Sequence, residues 1–224
     1  MLFNVSIKAQ ANASRKRVYI GHGLAAPFTE TPDYYSKLTF NDSFWNLESG
    51  FVYGQLHMLN DSVIDNLGLR YNMTRDRFEA RVDSSDGIYI VNDKAMKYVV
   101  MMDEKFANYQ YLNPDSTKLK GYFKIIGGNK TLLLFKKMEI HKEGKTGAYG
   151  HDAYKAYKNR YFLKIPGQTY PVEVKLRKKD ILKALNFKGP KLEMFAKENH
   201  LHFSNEYELT GILTYYDKLV SEKK

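Results

Sequence analysis

Residues 50–82 alternate with a period of two between short polar turns, and no other feature narrows the possible folds as much. Phe51, Tyr53, Gln55 and His57 fall on one side of an extended segment, and Val52, Gly54, Leu56 and Met58 on the other. Successive side chains of a strand point to opposite faces, so this pattern predicts a half-buried β-strand. Asn60-Asp61-Ser62 turns the chain, and the return strand runs through Val63, Ile64 and Leu67 to Met73, with a bulge expected at Gly68. Thr74-Arg75-Asp76 turns it again into Phe78, Ala80 and Val82. Leu69-Arg70-Tyr71-Asn72 lies at the centre of this ribbon.

The same signals recur downstream. Ser84-Ser85-Asp86-Gly87 precedes Ile88-Tyr89-Ile90-Val91, and strands are expected around Met96, Tyr98 and Val100 and over 106–112. Residues 122–126 and 131–140 read as a hairpin across Gly127-Gly128-Asn129-Lys130. Residues 142–159 show no period and read as a loop. Pro166-Gly167 then joins strands over 161–165 and 170–174, Pro fixing φ and Gly supplying the positive φ of a type II turn. Beyond residue 175 the period becomes helical. Ile181, Leu182 and Leu185 form one short face and Leu192, Phe195 and Ala196 a second. Leu209, Ile212, Leu213 and Tyr216 follow at helical spacing, with Ser204 as the expected N-cap. The fold class is therefore mainly β (a β-rich α+β chain): an antiparallel curved sheet or barrel-like body with a short C-terminal helical appendage.

Residues 1–13 end in the small-x-small triplets Ala9-Gln10-Ala11 and Ala11-Asn12-Ala13 after Leu2, Phe3, Val5 and Ile7. This reads as the remnant of a signal peptide, and an exported, periplasmic location in the cell envelope is expected. Residues 14–47 carry Phe28, Tyr34, Tyr35, Phe40, Phe44 and Trp45, too many aromatics for a free linker, and read as an ordered wrap across the sheet. The domain reading is thus 1–13 leader remnant, 14–174 β domain with its wrap, and 175–224 helical appendage. No stretch approaches the ~18 apolar residues of a transmembrane helix.

With 43% hydrophobic residues in 224, the chain can bury a sizeable core. The absence of Cys excludes disulfides, thiolate metal sites and cysteine nucleophiles. The net charge of +10 is unevenly spread: residues 111–160 hold 11 basic against 4 acidic side chains, residues 41–110 hold 7 against 11. The basic excess is mostly Lys interleaved along strands, as solvent faces and sheet edges use it. Nucleic-acid binders concentrate Arg, Lys and aromatics in a recognisable module, so a nucleic-acid partner is disfavoured.

Leu69-Arg70-Tyr71-Asn72 after an Asn-Asp turn, Gly121-Tyr122-Phe123-Lys124, Leu132-Leu133-Leu134-Phe135-Lys136-Lys137, Tyr161-Phe162-Leu163-Lys164, Lys178-Lys179-Asp180-Ile181-Leu182 and Leu213-Thr214-Tyr215-Tyr216 occur in that order. This order resembles a group of exported proteins of Bacteroidetes-type bacteria that are of unknown function. The resemblance covers about residues 45–220. It implies export and a β-rich body, and it brings no catalytic residues.

No motif demands a particular chemistry. His200 and His202 lack the third ligand and nearby carboxylates of a zinc site, so no metal and no cofactor is expected. Asp76 and Glu79 are the one carboxylate pair worth naming for glycosidase chemistry, and solvent exposure or pairing with Arg75, Arg77 and Arg81 is the better account of them. Arg70 and Asn72, on the strand face opposite Leu69 and Tyr71, could bind a carboxylate or sugar hydroxyl; holding a neighbouring loop is the favoured alternative. The candidate ligand- or partner-binding residues are Arg70, Tyr71, Asn72, Leu209, Ile212 and Tyr216, with no catalytic residue assigned. The expected function is a non-enzymatic protein-interaction or scaffold module of the cell envelope. It predicts an exposed apolar patch near Leu209, Ile212 and Tyr216. The alternative is a carrier that binds a lipid, glycan or other apolar ligand in the curved sheet, and a hydrolase ranks last.

Overall fold

The computed structural model describes residues 28–30, 50–81, 88–129, 132–143, 154–188 and 190–222. The leader reading of 1–13, the wrap over 14–47 apart from 28–30, and the turn at 84–87 lie outside them. Eleven strands and three helices occur among the described residues. The chain forms two compact units that divide between Asn108 and Tyr109.

The first unit contains β1 (Phe28–Glu30), β2 (Val52–Met58), β3 (Val63–Asn72), β4 (Arg77–Arg81), β5 (Ile88–Val91), β6 (Met96–Met101) and the start of β7 (Glu104–Leu112). Their order is β1-β5-β4-β3-β2-β6-β7, with antiparallel neighbours. The array is open and not a closed barrel: among the described residues β1 pairs with β5 alone. Phe28, expected in a wrap across the sheet, is instead in a strand of it, paired with Val91 and fully buried. Pairing there satisfies backbone groups that the edge of β5 would otherwise leave open.

Two turns decide the register. Gly54 pairs with Leu67 and Leu56 with Ile64, so Asp65 and Asn66 together oppose Gln55. The bulge is therefore at Asp65-Asn66, where Asn66 has φ 58°, and not at Gly68. Asn tolerates the left-handed region, and Gly68 stays in register between Tyr53 and Arg81. Met102 and Asp103 both have positive φ, as the two central residues of a type I′ hairpin require. Residues 92–95 carry the chain from β5 to β6 beside β2, four places along the strand order. That crossover is tied down where Leu59 N–H donates to Ala95 O at 2.9 Å. On one sheet face Leu56, Leu67, Leu69, Tyr71, Phe78, Val99, Met101 and Phe106 are buried. Tyr71, Phe78 and Phe106 form a ring cluster with centroids 5.1 to 6.4 Å apart. Burying each such ring contributes roughly 1.5–3 kcal/mol.

The second unit takes the end of β7, then β8 (Lys118–Gly128), β9 (Leu133–Glu143), β10 (Tyr154–Lys164), β11 (Val172–Val174), α1 (Lys178–Ala184), α2 (Lys191–Glu198) and α3 (Glu206–Ser221). β9 and β10 pair continuously from Leu133↔Lys164 to Glu143↔Tyr154. Lys142, Glu143 and residues 154–159, expected as loop, are thus strand. Lys, Ala and Asn are depleted in strands and the segment has no apolar alternation, so despite Tyr154 and Tyr157 its local signal is weak and the ladder supplies the order. Pro166-Gly167 makes the expected turn, with Gln168 N–H donating to Ile165 O at 3.1 Å and Gly167 at φ 81°.

Period-two alternation gives this sheet two different faces. Leu134, Leu163, Ile165 and Val174 pack with Ile181, Leu185, Leu192, Ala196, Leu209, Ile212 and Leu213 of the helices. Phe135 and Phe162, directly paired, face the other way with Tyr111 and Phe123. The last helix is capped by Asn205 and not Ser204: Asn205 Oδ1 accepts from Tyr207 N at 2.9 Å and Glu208 N at 3.3 Å. Helix α3 lies so close to β8 that a Cβ on Gly127 would sit 2.7 Å from Thr210 Cγ2.

Candidate functional site

Arg70 and Glu79 are directly opposite on β3 and β4, and both side chains are essentially out of solvent. Arg70 Nε and Nη2 each reach Glu79 Oε2 at 2.7 Å. Glu79 Oε1 accepts from Asn72 Nδ2 at 3.1 Å and from Arg77 Nε and Nη2 at 2.9 and 2.6 Å. Asn72 Oδ1 in turn accepts from Arg75 N at 3.1 Å. The Phe51 ring supports the Arg70 and Arg81 guanidiniums, each centred 4.6 Å from it. The carboxylate that Arg70 and Asn72 could bind is thus supplied by Glu79 of the chain itself. This cluster holds β3 to β4. Tyr71 points to the opposite face, where its hydroxyl donates to Asp76 Oδ1 at 2.5 Å. Asp76 and Glu79 therefore sit on different partners and do not face each other across a cleft.

The expected apolar patch on the helical tail is not formed. Leu209 and Ile212 are fully buried in the core of the second unit, and Tyr216 is half-buried with its hydroxyl donating to Leu185 O at 3.2 Å. A helix this amphipathic spends its apolar face on its own sheet.

Other carboxylates of the second unit are also engaged. Arg160 reaches Glu173 Oε1 and Oε2 at 2.9 and 2.6 Å and Glu139 Oε1 at 3.0 Å, across β9, β10 and β11. The side-chain hydrogen bond from Arg160 holds the Glu173 carboxyl below its ordinary value. Glu206 accepts from Tyr161 Oη at 3.0 Å and pairs with Lys136 at 3.2 Å, joining α3 to the sheet. Burial, then the Glu206 hydrogen bond, push the Tyr161 hydroxyl up to about 12. These are strand-to-strand and strand-to-helix ties.

One surface of the first unit is arranged differently. Tyr53, Gln55 and His57 alternate outward from β2, on the face opposite the Leu56 core. His57 is paired with Tyr98 of β6, and their rings stack with centroids 4.2 Å apart. Lys105 of β7 places its ammonium 3.5 Å from the centroid of Tyr98. His57, Tyr98 and Lys105 thus make a row across three adjacent strands. Gln55 Oε1 lies 3.3 Å from His57 Nε2, and Tyr53 is 81% exposed. Burial, then the charge of Lys105, hold the His57 imidazole below its ordinary value, against an opposite pull from Asp65. Among the described residues Lys105 has no carboxylate partner. The outward alternation of Tyr53, Gln55 and His57 is legible in the sequence. Their meeting with Tyr98 and Lys105 depends on β6 returning beside β2, which no local pattern encodes.

Among the described residues no three His, Asp or Glu side chains gather as metal ligands. His202 Nδ1 lies 2.7 Å from Glu208 Oε2, which also accepts from the His202 backbone N–H, so it belongs to the start of α3. No helix among the described residues is long and apolar enough to cross a membrane. No known protein family, curated protein or solved structure matches this chain.

Proposed function

We propose that this chain is an exported, non-enzymatic binding module of the cell envelope, and that it engages its ligand or partner through the outer sheet face of the first unit. The observation that carries this reading is the row His57–Tyr98–Lys105 with Tyr53 exposed beside it. Polar and aromatic side chains presented together on an ordered sheet suit recognition. General acid–base work asks instead for a poised carboxylate or imidazole aimed at a reacting group. Glu79, Glu139, Glu173 and Glu206 are held in ion pairs that tie the fold together. The export half of the proposal rests on the Ala9-Gln10-Ala11 and Ala11-Asn12-Ala13 triplets and on the resemblance described above.

The test is native mass spectrometry of the full chain purified from the envelope of its own host, beside a Tyr53→Ala/Lys105→Met variant. The wild type is expected to carry a ligand or partner that the variant loses. A bound species retained by the variant would place recognition elsewhere on the molecule. N-terminal sequencing of the same material tests export: a mature start at Asn12 or Ser14 supports it, and an uncleaved cytoplasmic chain refutes it.

A further inference from the structure

We infer that the outer face of β2, β6 and β7 is a subsite for an acidic oligosaccharide, with Tyr53 packing against a sugar ring and Lys105 pairing with its carboxylate. This rests on the reading above that the face is the binding surface, and it names the ligand class.

Four features point to this chemistry. First, Tyr53 is 81% exposed on an ordered strand, so its ring is open to the apolar C–H face of a sugar. Second, the polar tips along the face are mixed donors and acceptors: the Gln55 amide, the His57 imidazole and the Tyr98 hydroxyl. Such a set matches a ligand rich in hydroxyl groups. Third, Lys105 is a cation fixed over Tyr98 with no carboxylate partner among the described residues, so a bound anion would complete it. Fourth, Tyr53 and His57 are four residues apart on β2, about 13 Å along the strand, a span for an oligosaccharide and not for a single ring.

The same geometry disfavours peptides. A peptide adding to a sheet needs a free strand edge, and β2 and β6 are each paired on both sides. A docked amphipathic helix needs a continuous apolar groove, whereas this face alternates Tyr53, Gln55 and His57 with a charged neighbour. The charges that act on His57 are those of Lys105 on β7 and Asp65 on β3, in opposite directions. A carboxylate seated beside Lys105 would relieve its repulsion of protonated His57. Acidic ligand and proton should therefore bind with mutual reinforcement.

The experiment is calorimetric titration of the full chain with an oligogalacturonate, with a neutral oligosaccharide of the same length, and with acetate and inorganic phosphate alone. Binding of the oligogalacturonate is expected to exceed that of the neutral oligosaccharide roughly tenfold, the worth of one charge-assisted hydrogen bond. Lys105→Met should abolish that preference, and Tyr53→Ala should weaken both sugars. The two side chains are solvent-facing, and unchanged melting temperatures would show that the variants fold. The His57 imidazole, followed by NMR, should titrate at higher pH in the acidic complex than in the free protein. Equal binding of acidic and neutral sugars would overturn the charge assignment, and equal response to acetate would reduce the site to a simple anion contact. Absence of sugar binding, together with a native partner lost in the Tyr53→Ala/Lys105→Met variant, would overturn the glycan inference and leave the binding-face reading standing.

Discussion

Arg70 and Glu79 face each other across β3 and β4, joined by two 2.7 Å contacts to one carboxylate oxygen and essentially removed from water. A buried pair of this kind is only modestly favourable as a whole, because desolvation offsets most of the attraction. Breaking it is another matter. Glu79→Gln leaves a guanidinium in the interior without its counter-charge and should lower stability by roughly 3–5 kcal/mol. Urea unfolding of the two proteins checks this, and a loss below about 1 kcal/mol would mean that the pair is solvated in solution.

The contact between β8 and α3 is limited by a missing side chain. Gly127→Ala would bring a Cβ to 2.7 Å from Thr210 Cγ2, forcing the helix outward at an overpacking cost of roughly 1–3 kcal/mol. Thr210→Ser in the same background removes the methyl and keeps the hydroxyl that donates to Tyr207 O. The double variant should recover part of the loss in thermal unfolding. No recovery would show that the backbone and not Thr210 sets the distance.

Asn205 starts α3 by accepting from two backbone N–H groups. Asn205→Ala should cost about 1 kcal/mol, and Asn205→Asp, which keeps the accepting oxygen, much less. Equal denaturation midpoints for the Ala and Asp variants would remove Asn205 from the account of how the helix begins.

Tyr161 gives the helix-to-sheet tie a pH signature. Its folded pKa lies above the unfolded value, about 12 against 10, so the unfolded state releases the proton first. The contribution is whole below pH 10 and is lost as pH rises from there through 12. Wild type should therefore lose stability over that window more steeply than Tyr161→Phe, as denaturation midpoints at pH 9, 10 and 11 would show. Parallel curves would contradict the raised pKa.

The elements were largely legible in the chain, and their partners were not. Alternation placed β2 and β3, and Pro166-Gly167 placed the β10–β11 turn with its conformation. The i, i+3, i+4 spacing of Leu209, Ile212 and Leu213 marked the apolar face of α3, though not that the chain's own core would bury it. Where a segment drew its order from the neighbouring strand, the local signal was too weak. Phe28–Glu30 joined β5, residues 154–159 joined β9, and the bulge settled on Asn66.

Sequence alone determined that this is a mainly β chain with a helical tail, because side-chain periodicity and turn chemistry act within a few residues. Tertiary structure alone decided which polar residues are spent on the fold and which are displayed. Arg70 and Tyr53 project from the same sheet face, yet Arg70 is buried against Glu79 and Phe51 while Tyr53 stands in solvent. That difference comes from strand pairing, which sets Glu79 of β4 and the Phe51 ring against Arg70 and, among the described residues, places nothing comparable over Tyr53.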